Sequence, residues 1–133
     1  MHSVLLNSVR GKDKSRGNFR TMQNYIGRAG VSIEQARYIP PTPMVLPNYL
    51  HNFEKYLHYE EKDRLIQLAI IHAQFEIIHP FLDGNGRLGR IIMPLFLFEK
   101  GVLHTPMFYI SEYLEANREE YYDRLLAVSE GNQ

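Results

Sequence analysis

Two apolar blocks flank one polar turn, and the rest of the chain is arranged around them. From Arg64 to Ile78 apolar side chains fall almost all round a helical wheel: Leu65, Ile66, Leu68, Ala69, Ile70, Ile71, Phe75, Ile77 and Ile78. Such a helix is expected to be buried on most sides and therefore central. The second block starts near Gly86 and contains Ile91, Ile92, Met93, Leu95, Phe96 and Phe98. Pro94 lies inside it, where it removes the hydrogen bond to the Arg90 carbonyl and predicts a kink, and Gly101 is placed to close it. Upstream, residues 47–58 read as a helix with Pro47 early and Leu50, Phe53, Tyr56 and Leu57 on one face. Downstream of a connection holding Pro106, Ser111 with Glu112 and Asn117 with Glu119-Glu120 read as two helix starts. The last helix presents Tyr121, Tyr122, Leu125, Leu126 and Val128. At the other end Val4, Leu5 and Val9 fall on one side at helical spacing, as if residues 2–9 were the end of a helix. Between them, Tyr25-Ile26 and Arg37-Tyr38-Ile39 are short β-type pieces, and Pro40, Pro41 and Pro43 end any pairing. The fold class expected is all-α with one small β-hairpin.

Composition changes this picture little. The chain has 133 residues, enough for one domain, with 44% apolar and 23% charged residues. Fifteen basic and fifteen acidic side chains cancel, so charge gives no reason to expect nucleic acid or an anionic membrane as a partner. The basic stretch over residues 10–20 reads as a solvated loop. The longest apolar run, residues 91–98, is too short to span a bilayer, and no signal peptide opens the chain. With no cysteine, disulfides and thiolate metal sites are excluded, which suits a reducing, cytoplasmic setting.

The polar turn carries the chemistry: His79-Pro80-Phe81-Leu82-Asp83-Gly84-Asn85-Gly86-Arg87-Leu88-Gly89-Arg90. Pro80 disfavours helical geometry at His79, so the incoming helix should stop there and present the imidazole at its mouth. A neutral imidazole is the side chain best suited to take a proton near pH 7. Gly84-Asn85-Gly86 signals a turn directly before a helix, where successive amides can face an anion and the helix N-terminus adds partial positive charge. Arg87 and Arg90 share a face of that helix's first turns and oppose its dipole, which points to an anion held between them. Asp83 is a hard oxygen donor beside this cradle, where Mg²⁺ sits between a carboxylate and phosphate oxygens. His72 and His79, seven apart, could form a zinc set with Asp83, but that would leave the Gly-Asn-Gly-Arg loop without a purpose. His72 and Glu76 are better read as hydrogen-bonded polar groups of the core.

The twelve residues match, at every specified position, the signature of the Fic domain family, His-Pro-Phe-x-Asp/Glu-Gly-Asn-Gly-Arg-x-x-Arg. The resemblance extends to Val9-Arg10-Gly11-Lys12, Gly17-Asn18-Phe19-Arg20, Gln23-Asn24-Tyr25-Ile26-Gly27, Tyr38-Ile39-Pro40-Pro41 and Tyr121-Tyr122, and so covers nearly the whole chain. It implies a Fic-type helical bundle with a small hairpin flap, residues 1–133 being a catalytic core truncated at both ends relative to a longer protein. The activity implied is Mg²⁺-dependent transfer of AMP from ATP to a Ser, Thr or Tyr hydroxyl of a target protein. By that resemblance His79 is the general base, Asp83 holds Mg²⁺, and Gly84, Asn85 and Gly86 cradle the phosphates through their amides and the Asn85 side chain. Arg87 then binds the departing diphosphate, Arg90 orients the terminal phosphate, and Phe81 anchors the loop from the core side. Tyr122 lies against the base, and Ser129 stands where some relatives have an asparagine touching the base or ribose. Ile26, Gly27, Tyr38 and Ile39 belong to the flap on which an extended segment of the protein substrate docks by strand addition.

Many Fic proteins are restrained by a helix bearing Ser/Thr-x-x-x-Glu-Gly/Asn, whose glutamate pairs with the second motif arginine. The one Ser-x-x-x-Glu here, Ser111 to Glu115, is followed by Ala116 in a segment that reads as ordinary fold. Arg90 is therefore expected to lack a glutamate partner, leaving the domain active unless an inhibitory helix comes from upstream in cis or from a partner. Other chemistry on the same scaffold (UMP or phosphocholine transfer, or removal of AMP) and a non-catalytic nucleotide- and peptide-binding module are the alternatives.

Overall fold

The computed structural model describes residues 17–105 and 109–131. The helix expected over residues 2–9, the family-like stretch at 9–12 and Pro106 lie outside the described residues. Five helices follow one another: α1 (Leu46–Leu57), α2 (Arg64–Ile78), α3 (Asn85–Glu99), α4 (Ile110–Ala116) and α5 (Arg118–Gly131). The fold is all-α. The expected hairpin is reduced to one antiparallel bridge between Ile26 and Tyr38, with a single 3₁₀ turn, Ile33–Gln35, in the connection. No described helix is long and apolar enough to cross a membrane.

Each boundary near the site has a local cause. Asp63 caps α2, its carboxylate accepting from the Leu65 and Ile66 amides at 2.8 and 3.1 Å. Pro47 occupies the first turn of α1, where its missing N–H costs nothing. Helix α3 continues past Pro94 to Glu99, and Gly101, at φ 72°, then turns the chain so that the Val102 amide reaches the Leu97 carbonyl at 2.9 Å.

Helix α2 is central, packing on α1, α3 and α5. Leu68 and Ile71 meet Met93, Phe96 and Leu97 of α3, with Phe53, Tyr56 and Leu57 of α1 closing the cluster. Full burial of each such side chain stabilises by roughly 1.5–3 kcal/mol. Gln67, fully buried, donates from Nε2 to the Tyr56 and Tyr59 carbonyls and so ties the end of α1 to α2. A second cluster of Phe75, Phe81 and Leu88 fixes the turn between α2 and α3 from below.

Two sequence expectations are corrected. Helix α2 is not covered on most sides along its whole length: Leu65, Ile66 and Ile70 are 62%, 56% and 39% exposed, because among the described residues its three neighbours leave one flank of its first two turns open. Nor is the loop before the flap solvated throughout. Arg20 is only 2% exposed, and its burial has a purpose at the site.

Candidate active site

His79 ends α2 in the left-handed region, at φ 47° and ψ 60°. Among the described residues it is the one non-glycine with positive φ. An L-residue there costs on the order of 1–2 kcal/mol, so the surroundings must over-determine the turn. They do. Arg20 donates from Nε to the His79 carbonyl at 2.8 Å and from Nη2 to the carbonyls of Ile78 (3.3 Å) and Pro41, while its own amide bonds the Pro80 carbonyl at 2.9 Å. Asn24 Nδ2 donates to the Phe81 carbonyl at 3.0 Å and the His79 carbonyl at 3.4 Å. A guanidinium among the last carbonyls of a helix also meets the negative end of its dipole.

The imidazole is oriented from its own helix. His79 Nδ1 lies 3.2 Å from the Glu76 carbonyl, which can only accept, so Nδ1 carries the proton and Nε2 keeps its lone pair. Burial lowers the imidazole's pKa to about 4 and the Arg20 charge adds to this, against the Glu76 hydrogen bond and Asp83. The ring is therefore neutral at pH 7.

The loop that follows is closed by Asn85, itself 2% exposed. Its Oδ1 accepts from the Phe81 amide at 2.9 Å and its Nδ2 donates to the Phe81 carbonyl at 2.7 Å. The Asn85 side chain, expected to cradle phosphate, thus bonds the loop's own backbone through both of its polar atoms. Phe81 is the anchor expected of it, buried against Phe75 and Leu88 with its ring 5.3 Å from that of Phe19. Gly84 begins α3 at φ 81° with no side chain capping the helix, so the first amides of α3 are presented without a competing side-chain acceptor.

Asp83 accepts from the Gly84 amide at 2.7 Å and lies 3.8 Å from Arg87 Nη2. One partly exposed carboxylate beside a helix N-terminus suits Mg²⁺, which keeps several waters and takes its other ligands from phosphates. The zinc set does not form. Among the described residues no three His, Asp or Glu side chains converge, His72 Nε2 being bonded to the Tyr121 hydroxyl at 2.9 Å.

Next to this turn opens a cleft of ≈ 190 Å³. One wall is Glu76, His79, Gly86 and Arg90; the other is Tyr121, Tyr122 and Ser129 of α5, with Ile26, Arg37 and Tyr38 of the flap at its rim. Seven predicted site residues from three separated stretches (Ile26 and Tyr38; His79, Gly86 and Arg90; Tyr122 and Ser129) thus meet in one cavity. Asp83, Gly84, Asn85 and Arg87 stand outside its lining, on the turn that leads into it. The Ser129 hydroxyl donates to the Leu126 carbonyl of its own helix at 2.7 Å. The Tyr122 ring has the Arg37 and Arg118 guanidinium carbons 5.4 and 5.7 Å from its centroid. Arg37 also reaches Asp123 at 2.6 Å and Glu119 at 3.6 Å, so it ties the flap to α5. Of the flap residues, Ile26 and Tyr38 line the cleft, the Tyr38 hydroxyl donating to the Ile77 carbonyl at 3.1 Å, whereas Ile39 is 51% exposed outside it. Gly27 sits in the tight return, where a Cβ would meet Val31 at 3.0 Å.

A model of the Fic/DOC family matches residues 1–97, which include the whole His79–Arg90 turn. The chain belongs to the Fic/DOC family. It is 38% identical over 97 residues to a probable protein adenylyltransferase of Aquifex aeolicus, covering 72% of this chain and 28% of that protein. It is 31% identical over 119 residues to the protein adenylyltransferase Fic of Drosophila grimshawi, covering 87% of this chain and 22% of the relative. In three dimensions it is similar to a Fic family protein from Desulfovibrio desulfuricans, with a TM-score of 0.73 and 28% identity over 98% of this chain and 38% of the other. The chain thus spans well under half the length of each of these relatives.

This Fic domain uses residues at its site that sequence reading passed over. Arg20 and Asn24 lay inside family-like stretches but had no role, since a basic loop gives no sign that one arginine turns inward. Glu76 was read as a hydrogen-bonded core group, yet its Oε1 is buried without a partner. Its spacing was the available signal: three residues before His79, one helical turn away, it had to share that imidazole's face. Among the described residues Arg90 forms no salt bridge, although the Glu76 carboxyl feels its charge.

Proposed function

We propose that this domain transfers AMP from ATP to a hydroxyl side chain of a protein target. The observation that carries the proposal is the cleft itself: an imidazole with Nε2 left unprotonated, the first turn of α3 and Arg90 share one wall. In this reading His79 Nε2 takes the proton from the target Ser, Thr or Tyr hydroxyl as its oxygen attacks the α-phosphorus. The α-phosphorus–oxygen bond to the β-phosphate breaks, and diphosphate leaves. The uncapped amides of α3 and the Arg87 and Arg90 guanidinium groups receive the charge that develops on the phosphates. Bound at Asp83, Mg²⁺ would neutralise phosphate charge as the diphosphate departs. A low proton affinity suits the resting base, and the charge of an arriving polyphosphate raises it during the reaction. The exposed edge at Ile39, beside the Ile26–Tyr38 bridge, is where we expect an extended target segment to add as a strand. In this reading any restraint of the domain comes from a helix supplied upstream in cis or by a partner. The absence of cysteine is compatible with a cytoplasmic setting.

The test is transfer of label from ATP carrying ³²P at the α-phosphate to acceptor protein in a cell lysate with Mg²⁺. Labelled protein is expected with the parent and a loss of about 10²–10⁴-fold with His79→Ala. Equal label from both would overturn His79 as base. Bound ATP with no transfer from either, and transfer from a UTP or CDP-choline donor instead, would replace AMP as the group moved.

A further inference from the structure

Glu76 is a buried carboxyl that the proposed chemistry leaves idle. It lines the cleft from α2, one turn before His79, and is 8% exposed. Its Oε1 has no hydrogen-bond partner. Gly89 of α3 passes so close that a Cβ there would stand 2.3 Å from that oxygen, so nothing but hydrogen fits between them. The charged and titratable groups facing it are Arg90 from α3, Tyr121 from α5, and His72 and His79 from its own helix; Tyr38 and Arg37 border the same cleft from the flap. Two opposed effects act on the carboxyl. Burial disfavours its anion, and the Arg90 charge favours it.

We infer that binding of a polyphosphate in this cleft is coupled to uptake of one proton by Glu76. The inference rests on the cleft being a polyphosphate site. An anion that engages Arg90 cancels the one cation favouring the Glu76 carboxylate and brings a like charge beside it. The carboxylate then takes H⁺ from solvent. As a neutral acid its oxygen gains an O–H donor in place of an unsatisfied lone pair. The anion acts on His79 as well, but from about 4, well below Glu76; burial also lowers His72, and burial followed by the Glu76 charge raises the Tyr121 hydroxyl. Glu76 is brought close to neutrality, to about 7. Polyphosphate affinity should therefore fall as pH rises above that value, by about tenfold per unit at the limit.

The experiment is titration calorimetry of the unaltered protein with ATP at pH 8 in EDTA, in two buffers of different ionisation enthalpy. At that pH the nucleotide is already ionised, so buffer-dependent heat reports protons taken up by the protein. Uptake approaching one proton is expected, with none for Glu76→Gln. The glutamine, a neutral stand-in for the acid, should bind ATP about tenfold more tightly than the parent at pH 8 and equally at pH 6. ATP binding by the parent with no proton uptake overturns the inference while leaving the cleft as a nucleotide site. So does the same uptake in the variant. Failure of the parent to bind ATP at any pH overturns the cleft reading, and the inference with it.

Discussion

The two walls of the cleft are built by different means. The wall that ends α2 and begins α3 is buried and over-determined: a strained histidine backbone is held by Arg20 and Asn24, and the loop is cross-braced by Asn85. The wall formed by the flap and α5 is lightly made. It has one β-bridge, and an Arg37 that is held by exposed Asp123 and Glu119 and lies over Tyr122. Exposed ion pairs contribute roughly 0–1 kcal/mol each and are screened by salt, whereas hydrogen bonds to a charged donor in the interior contribute roughly 1.5–3 kcal/mol. Rigidity is concentrated where bonds would be made and broken. Adjustability lies where a base or a peptide would be received.

The sharpest way to break this contrast is Arg20→Ala, which leaves the Ile78, His79 and Pro41 carbonyls without their guanidinium donor. A loss of about 4 kcal/mol is expected from chemical denaturation, a large share of a domain's stability. An unchanged denaturation midpoint would mean the turn is held by the helices alone. The next effect is on pH. Glu76 binds its proton more tightly folded (about 7) than its ordinary value of 4.5, so its contribution is complete below 4.5 and lost as pH rises through 7. His79 has the opposite sign: folded about 4 against 6.5, it contributes above 6.5 and loses that contribution as pH falls through 4. Glu76 alone should lower stability by about 2–3 kcal/mol between pH 5 and 8, while His79 acts against this below pH 6.5. Urea midpoints for Glu76→Gln should lose that decline, being flat above pH 6.5 and falling below it on the His79 limb alone. A decline of equal size in the variant would assign it to another group. Gly89→Ala comes third, at about 2 kcal/mol, because its methyl must displace the Glu76 carboxyl; a neutral outcome in thermal melts would show that carboxyl free to swing away. The smallest effect belongs to the light wall. Arg37→Gln should cost under about 1 kcal/mol, and less in high salt, while changing the KM for nucleotide more than kcat. A stability loss as large as that of Arg20→Ala would erase the distinction between the walls.

What the sequence disclosed follows the range of the interactions involved. The twelve-residue turn is legible because its parts are neighbours in the chain: Pro80 stops α2 at Ile78, the glycines start α3, and Phe81 points to the core. Helix limits near Pro47, Asp63 and Gly101 are likewise local. Arg20 was misread because its partners lie 58 and 59 positions away, and only the tertiary fold brings three carbonyls to one guanidinium. Leu65, Ile66 and Ile70 were misread because periodicity counts apolar faces without counting the helices available to cover them. Asn85 was half read. Its place in the loop was evident, but whether its amide faces a ligand or the loop's own backbone depends on a rotamer that no pattern encodes.

One arrangement in the cleft wall has an optical consequence. Tyr121 shares a hydrogen bond with His72 and lies 5.3 Å from Tyr122, whose ring is faced by two guanidinium groups. The chain contains nine tyrosines and no tryptophan, so no indole masks phenol emission. Any molecule that enters the cleft and disturbs the hydroxyl of the first ring or the face of the second alters ultraviolet absorption and fluorescence native to the protein. The domain carries its own occupancy signal, readable without a dye and assignable to these rings by Tyr121→Phe and Tyr122→Phe.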